Sequence, residues 1–262
     1  TERGMFSVIS MDRTISGGNY GAPSLPIARE LVAVPFGATP IVKVLNYSVT
    51  DYKLDDYGIE RIYPQQQSMS KSAKPEDRVF HYDESAYQVR ALANAPKTSV
   101  ELLGTMRGIR LGALQVEPVC YNPANNTMRV FNDIEVEITF ENADMILTEQ
   151  TLLKAYSPYF DVVYKQLFNA RAVSDFYDEH PDLMKSPVKM LVVANRMFED
   201  VMQPWIEWKT QKGFYLDVKY TDEIGYTSAD IKAYVKQQYE TEYPTFLVLF
   251  GDQEQLPPSI VS

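Results

Sequence analysis

Between Ser186 and Asp252 the apolar residues change period four times, from a continuous run to helical spacing and back, and this alternation constrains the fold more than any other stretch. Lys189 to Ala194 is short and rich in Met, Leu and Val, as suits a strand covered on both faces. Phe198, Val201, Met202, Trp205 and Ile206 then fall at i, i+3, i+4, i+7 and i+8, so that face of a helix is expected on the sheet, with Trp208 at its edge beside Lys209. Gly213 stops this helix, and Phe214 to Tyr220 is a second, β-rich run. Thr227 or Ser228 can cap a second helix that carries Ile231, Tyr234, Val235 and Tyr239 toward the same sheet. Phe246 to Phe250 is the third strand, ended by Gly251-Asp252. A helix between successive strands implies parallel crossovers, and open sheets of this kind place their sites beyond the carboxyl ends of the strands, where Asp252 falls.

The first half of the chain reads differently. From Met5 to about Phe140 short β-type runs alternate with turn residues, the clearest being Met5–Ser10, Leu31–Val34, Ile41–Tyr47, Arg110–Val116 and Met128–Phe140. Gly17-Gly18, Pro23, Pro35, Gly37, Pro40, Pro64 and the turn Asn122 to Asn126 punctuate them, which favours an antiparallel sandwich. In the last run Val130, Ile134, Val136, Ile138 and Phe140 are expected inside, against Asp133, Glu135, Glu137 and Thr139 in water. Thr151 to Glu179 joins the halves, with helical faces broken at Ser157-Pro158, and after Phe168 it has the polar, irregular composition of an exposed linker. The expected division is therefore 1–150, a β-sandwich; 151–186, a linker; and 187–262, the α/β part.

With 262 residues, of which 45% are hydrophobic and 23% charged, the chain has the length of two domains. The formal charge of -10 argues against nucleic acid, whose binding needs clustered basic surface. No apolar run is long enough to span a membrane. A single cysteine, Cys120, excludes an internal disulfide and a Cys-rich metal site, and its β-run neighbours predict a buried, inert thiol. The first residue is Thr1 rather than Met, as after removal of a leader.

The run PVKMLVVANRMFEDVMQPWIEWKTQKGFYLDVKYTDE and the later FLVLFGD resemble the start of the catalytic domain of the gingipain family of cysteine endopeptidases, at its lysine-specific branch. The runs LVAVPFGATPIVKV, QQQSMSKS, LLGTMRGIRLGAL and EPVCYNP, with MRVFNDIEVEITF, are similar to the prodomain of the same family. The resemblance implies an all-β sandwich prodomain followed by the first part of a caspase-like α/β peptidase domain, with a secreted or bacterial cell-surface location. It implies a zymogen cleaving protein substrates after lysine once activated, with the remainder of the peptidase domain as this segment's partner. The catalytic histidine and cysteine are expected on later strands than those carried here, so this chain has no catalytic dyad of its own.

Three site residues follow from the resemblance, and a fourth, Lys185, from the exposed linker. Lys71, within the Ser68 to Ser72 motif of a polar loop from Pro64 to Arg78, is expected to be the plug that holds the peptidase latent; Lys74, before Pro75, lacks the motif. Arg171, then Lys185, are the expected maturation cuts. Asp252 is expected to contribute to a structural calcium site. The competing reading is a non-catalytic adhesin-type β-sandwich with a degenerate α/β appendage.

Overall fold

The computed structural model of the chain describes residues 3–72, 74, 79–155, 157–173 and 188–259. Two compact units result: Thr1–Gly104, Arg110–Asp144 and Leu167–Asn169 form the first, and Thr105–Ile109, Met145–Gln166 and Ala170–Ser262 the second.

The strands of the first part are β1 (Thr14–Gly17), β2 (Leu25–Val34), β3 (Thr39–Lys53), β4 (Lys97–Met106), β5 (Ile109–Glu117), β6 (Val119–Asn122) and β7 (Thr127–Glu141). They make two sheets, β1-β2-β5-β4 and β3-β7-β6, and every pairing with a given register is antiparallel. Val32 and Val34 of β2 pack with Val100 of β4 and with Ile138 and Phe140 of β7, so inward residues of both sheets share one core, as in a sandwich. The expected turn at Asn122 forms because its side-chain oxygen accepts from the Ala124 and Asn125 amides at 3.1 and 3.4 Å, and Asn126 takes the left-handed conformation that closes it.

Two expectations for this part are corrected. Met5–Ser10 is not a strand; Ser7 forms only an isolated bridge with Ile62. In β7 the residues from Ile134 to Phe140 alternate as expected, but Phe131 rather than Val130 is buried, at 3% exposure. The cause is an irregularity in the β3–β7 ladder between Val44 and Ser48, opposite Asp133, whose φ is +52. An extra residue in one strand reverses the inside-outside phase beyond it.

The second unit contains α1 (Met145–Ala155), α2 (Asp161–Tyr164), β8 (Val188–Ala194), α3 (Glu199–Gln211), β9 (Phe214–Tyr220), α4 (Thr221–Ile224), α5 (Ser228–Glu242) and β10 (Phe246–Phe250). The three strands form a parallel sheet in the order β10-β8-β9, with Val192 opposite both Val218 and Val248. β8 is central, and Met190 to Ala194 are buried, which accounts for the unbroken apolar run. α3 covers one face through Met202, Trp205 and Ile206, with Phe198 just before it, and α5 the other through Ile231, Tyr234 and Val235. Thr227 caps α5 in a reciprocal arrangement with Asp230: the Asp230 amide donates to Thr227 Oγ1 at 3.1 Å and the Thr227 amide to Asp230 Oδ2 at 3.2 Å.

Val201 and Tyr239 do not meet the sheet as their spacing suggests. Val201 is 73% exposed, because the buried stripe of α3 centres on Met202 and neighbouring helical residues are about 100° apart. Tyr239 is 44% exposed and turns toward Tyr243, with ring centroids 5.6 Å apart. Trp208 lies at the helix edge as expected, with the Lys209 and Lys212 ammonium groups each 4.4 Å from its ring.

Candidate functional site

In the first unit, the segments on either side of Lys71 are tied together at their base. The Gln66 side chain is the staple: its Nε2 donates to the His81 carbonyl at 2.9 Å and its Oε1 accepts from the His81 amide at 2.9 Å. Gln65 is fixed at the same level by backbone bonds to Gly21 and Ala22, both 2.8 Å, and its Oε1 accepts from Ser24 Oγ at 2.7 Å. Gly21 permits this threading, since its φ is +83 and a Cβ there would stand 2.8 Å from the Asp83 amide nitrogen. Beneath the neck, Phe6 packs on the rings of Tyr63, Phe80, Tyr82 and Tyr87 at centroid distances of 5.9 to 6.4 Å. Tyr87 donates to the Ile62 carbonyl at 2.5 Å, and burial pushes its hydroxyl pKa well up.

Above this floor the loop is polar. Ser70 and Ser72 hydroxyls meet at 2.9 Å across Lys71, which occupies a turn and is exposed. Lys74 is exposed as well. The Gln66–His81 pairing thus closes the base of the loop on which Lys71 is exposed.

The second unit has its own candidate edge, at the carboxyl ends of β8, β9 and β10. After β8, Asn195 accepts from the Met197 amide at 3.1 Å, and the Arg196 guanidinium pairs with Asp222 at 3.0 Å and Glu223 at 2.6 Å while lying 4.0 Å over the Tyr220 ring. Hydrogen bonds from Arg196 hold the Asp222 carboxyl below the usual range, and donating to Asp222 and Glu223 raises the guanidinium. After β10, Asp252 opens a turn: its Oδ1 accepts from the Glu254 amide at 2.9 Å and its carbonyl from the Leu256 amide at 2.8 Å. Calcium takes roughly six to eight oxygen ligands, and no three His, Cys, Asp or Glu side chains converge among the described residues.

The remaining sequence candidates fall apart from both places. Arg171 is exposed and lies in a helical turn over 170–173, with Val173 buried. Just before it, Phe168 donates to the Leu31 carbonyl at 2.7 Å, and the Asn169 amide pairs with both backbone groups of Ala33 at 2.8 and 2.9 Å. The expected linker, 151–186, is thus fastened to β2 at residues 168 and 169. Lys185 lies outside the described residues. Cys120 is half-buried rather than buried as expected, its Sγ set 3.9 Å from the Ala93 carbonyl, and burial raises its pKa. Sequence reasoning missed Gln66 and Arg196. A side-chain staple across fifteen residues has no local periodicity, whereas Arg196 stood immediately after a buried strand.

A two-sheet antiparallel unit followed by three helix-connected strands of a parallel sheet defines the class of architecture, and comparison with known proteins gives its family. The chain matches Propeptide_C25 over residues 1–168 and Peptidase family C25 over residues 184–259, and it belongs to this family. Lys-gingipain HG66 of Porphyromonas gingivalis is 44% identical over 97% of this chain, and Gingipain R2 of the same organism 25% identical over 99%. This chain spans 15% of the first relative's length and 35% of the second's. A solved structure addressing the zymogenic latency of gingipain K from P. gingivalis matches with a TM-score of 0.50 and 41% identity, covering 55% of this chain and 79% of that one. A complex of the pro- and mature domains of P. gingivalis RgpB matches with a TM-score of 0.52 at 21% identity, covering 65% of this chain and 84% of that one, and shares the fold.

Proposed function

We propose that this chain is the propeptide and leading peptidase segment of a zymogen whose complete form is a secreted or surface-held cysteine endopeptidase cleaving after lysine. The observation that carries the reading is Lys71, exposed in a turn of a loop whose neck is locked by the Gln66–His81 pairing. A lysine-specific peptidase needs a pocket that answers an ammonium ion, and a lysine offered on a fixed stalk by its own propeptide fills that pocket before any substrate arrives. Similarity to Lys-gingipain supports the choice of lysine over arginine.

In this reading latency ends when the chain is cut after Arg171 or after Lys185. No helix among the described residues is long and apolar enough to cross a membrane. Leu247 and Leu249, 46% and 52% exposed on one face of β10, support a need for further peptidase-domain structure over this sheet. Asp252 is proposed as one carboxylate of a calcium site whose other ligands come from outside the described residues.

The test is a single-turnover assay of the full-length precursor against paired lysyl and arginyl amides. The expected result is no turnover before processing and cleavage after lysine alone afterwards. Full activity in the uncut precursor, or equal cleavage after arginine, contradicts the reading.

A further inference from the structure

The β4–β5 hairpin turns through Arg107 and Gly108, with φ +46 and +80. Positive φ at both positions of a two-residue loop is the geometry that usually selects Asn-Gly or Gly-Gly, because a larger side chain is strained there. The arginine in this turn is nevertheless only 9% exposed. Residues 105–109 belong to the second unit, and their partners lie within it. Arg107 Nη1 donates to the Pro244 carbonyl at 2.8 Å, with Nη2 3.5 Å from the Tyr243 carbonyl. These carbonyls close the C-terminus of the fifteen-residue helix α5, where the helix dipole favours a cation. The Arg107 carbonyl lies 3.4 Å from Tyr164 Oη, and a Cβ on Gly108 would stand 2.8 Å from the Thr151 carbonyl oxygen of α1.

Two more residues of the same unit reach the same end of the sheet. Ser157, 1% exposed, meets Thr245 Oγ1 at 3.2 Å, and Thr245 donates to the Lys189 carbonyl at 2.8 Å. The Tyr159 ring packs on Phe214 and Phe246, 5.5 and 5.3 Å away, the first residues of β9 and β10. Arg107, Ser157 and Tyr159 lie in the propeptide-matched segment, and their partners in the peptidase-matched one. The gripped residues all stand at the amino ends of strands about 20 Å long, opposite the carboxyl ends that carry Asp252.

We propose that the Arg107–Gly108 tip, with Ser157 and Tyr159, is a docking clasp that keeps the propeptide bound to the peptidase segment after the linker is cut. Arg107 is its central anchor: its planar fork reaches backbone carbonyls rather than side chains, so the partner surface recognised is a helix terminus of this chain's own peptidase segment. The clasp rests on the reading that the chain is a processed precursor. It is made by residues other than Lys71, so the losses of affinity from Arg107→Ala and Lys71→Ala should add.

The test uses the full precursor with a specific-protease site inserted between Ser174 and Lys185, cut after folding and passed over gel filtration at falling concentration. The wild-type halves are expected to co-elute. Arg107→Ala should weaken their affinity about tenfold or more, and Arg107→Lys less, because an ammonium lacks the fork. Gly108→Ala, which drives a Cβ against α1, is the second variant, and near-UV circular dichroism of each uncut chain verifies folding. Lys71→Ala should weaken affinity on its own account, and the Arg107→Ala/Lys71→Ala double variant should show about the product of the two losses. Because the readout is association, it stands whether or not the parent cleaves after lysine. Undiminished affinity in folded Arg107→Ala and Gly108→Ala overturns the clasp, as does separation of the wild-type halves on cutting.

Discussion

The Gln66 side chain satisfies both backbone groups of His81, donating and accepting at 2.9 Å, and so closes a loop whose two ends are fifteen residues apart in sequence. This bond fixes where the loop leaves the sandwich. Each half of such a pair contributes about 1 kcal/mol net. Gln66→Ala should therefore lower the stability of the first unit by about 1–2 kcal/mol in urea titration and also weaken inhibition of the mature peptidase, although Lys71 is unchanged. Unaltered inhibition would mean that the neck does not position the plug.

Acid should loosen the Arg196 cluster. Arg196 holds the Asp222 carboxyl below its usual value in the folded state, so the pairing stabilises the fold above the unfolded carboxylate pKa of about 3.9 and is lost as pH falls through the depressed value. The thermal midpoint should fall as pH drops below about 4. Asp222→Asn should remove part of that dependence, and high salt should weaken it, since Arg196 and Asp222 are 42% and 37% exposed. An unchanged acid slope in Asp222→Asn rules out this contribution.

The C-terminal part was legible because its signals are local and redundant. β8, α3, β9, α5 and β10 each announce themselves by period, and Thr227 with Asp230 marks a helix start four ways over: hydroxyl, carboxylate, spacing and a following apolar stripe. The sandwich was harder to read. β4 is mostly exposed and β1 and β6 have four residues each, so none carries much alternation. The phase of β7 reverses at a left-handed Asp133, which no pattern of apolar residues reveals. The expectation for Lys71 rested on its motif in a polar loop, while the neck beneath it depends on contacts distant in sequence.

Maturation at Arg171 requires a local opening. The residue is exposed but helical, and a peptidase takes its substrate extended, so the 170–173 turn must unwind. N-terminal sequencing of the matured peptidase should give Ala172, or Ser186 if Lys185 is cut. A start within β8 or later contradicts both placements.

Calcium, if Asp252 binds it in the full-length precursor, stabilises the native state by mass action. The wild-type thermal midpoint should rise with added calcium and that of Asp252→Ala should not. An equal rise in both removes Asp252 from the site.

The central claim is that Lys71 occupies the lysine pocket of the peptidase, and the inhibition constant of the propeptide-bearing chain against the mature enzyme tests it most directly. Truncating a desolvated cation leaves its partner unpaired and costs about 2–5 kcal/mol. Lys71→Ala should raise the inhibition constant at least about tenfold, while Lys74→Ala, a neighbouring exposed lysine, should leave it unchanged. Equal inhibition by the wild type and Lys71→Ala would show that the propeptide blocks the cleft by another route.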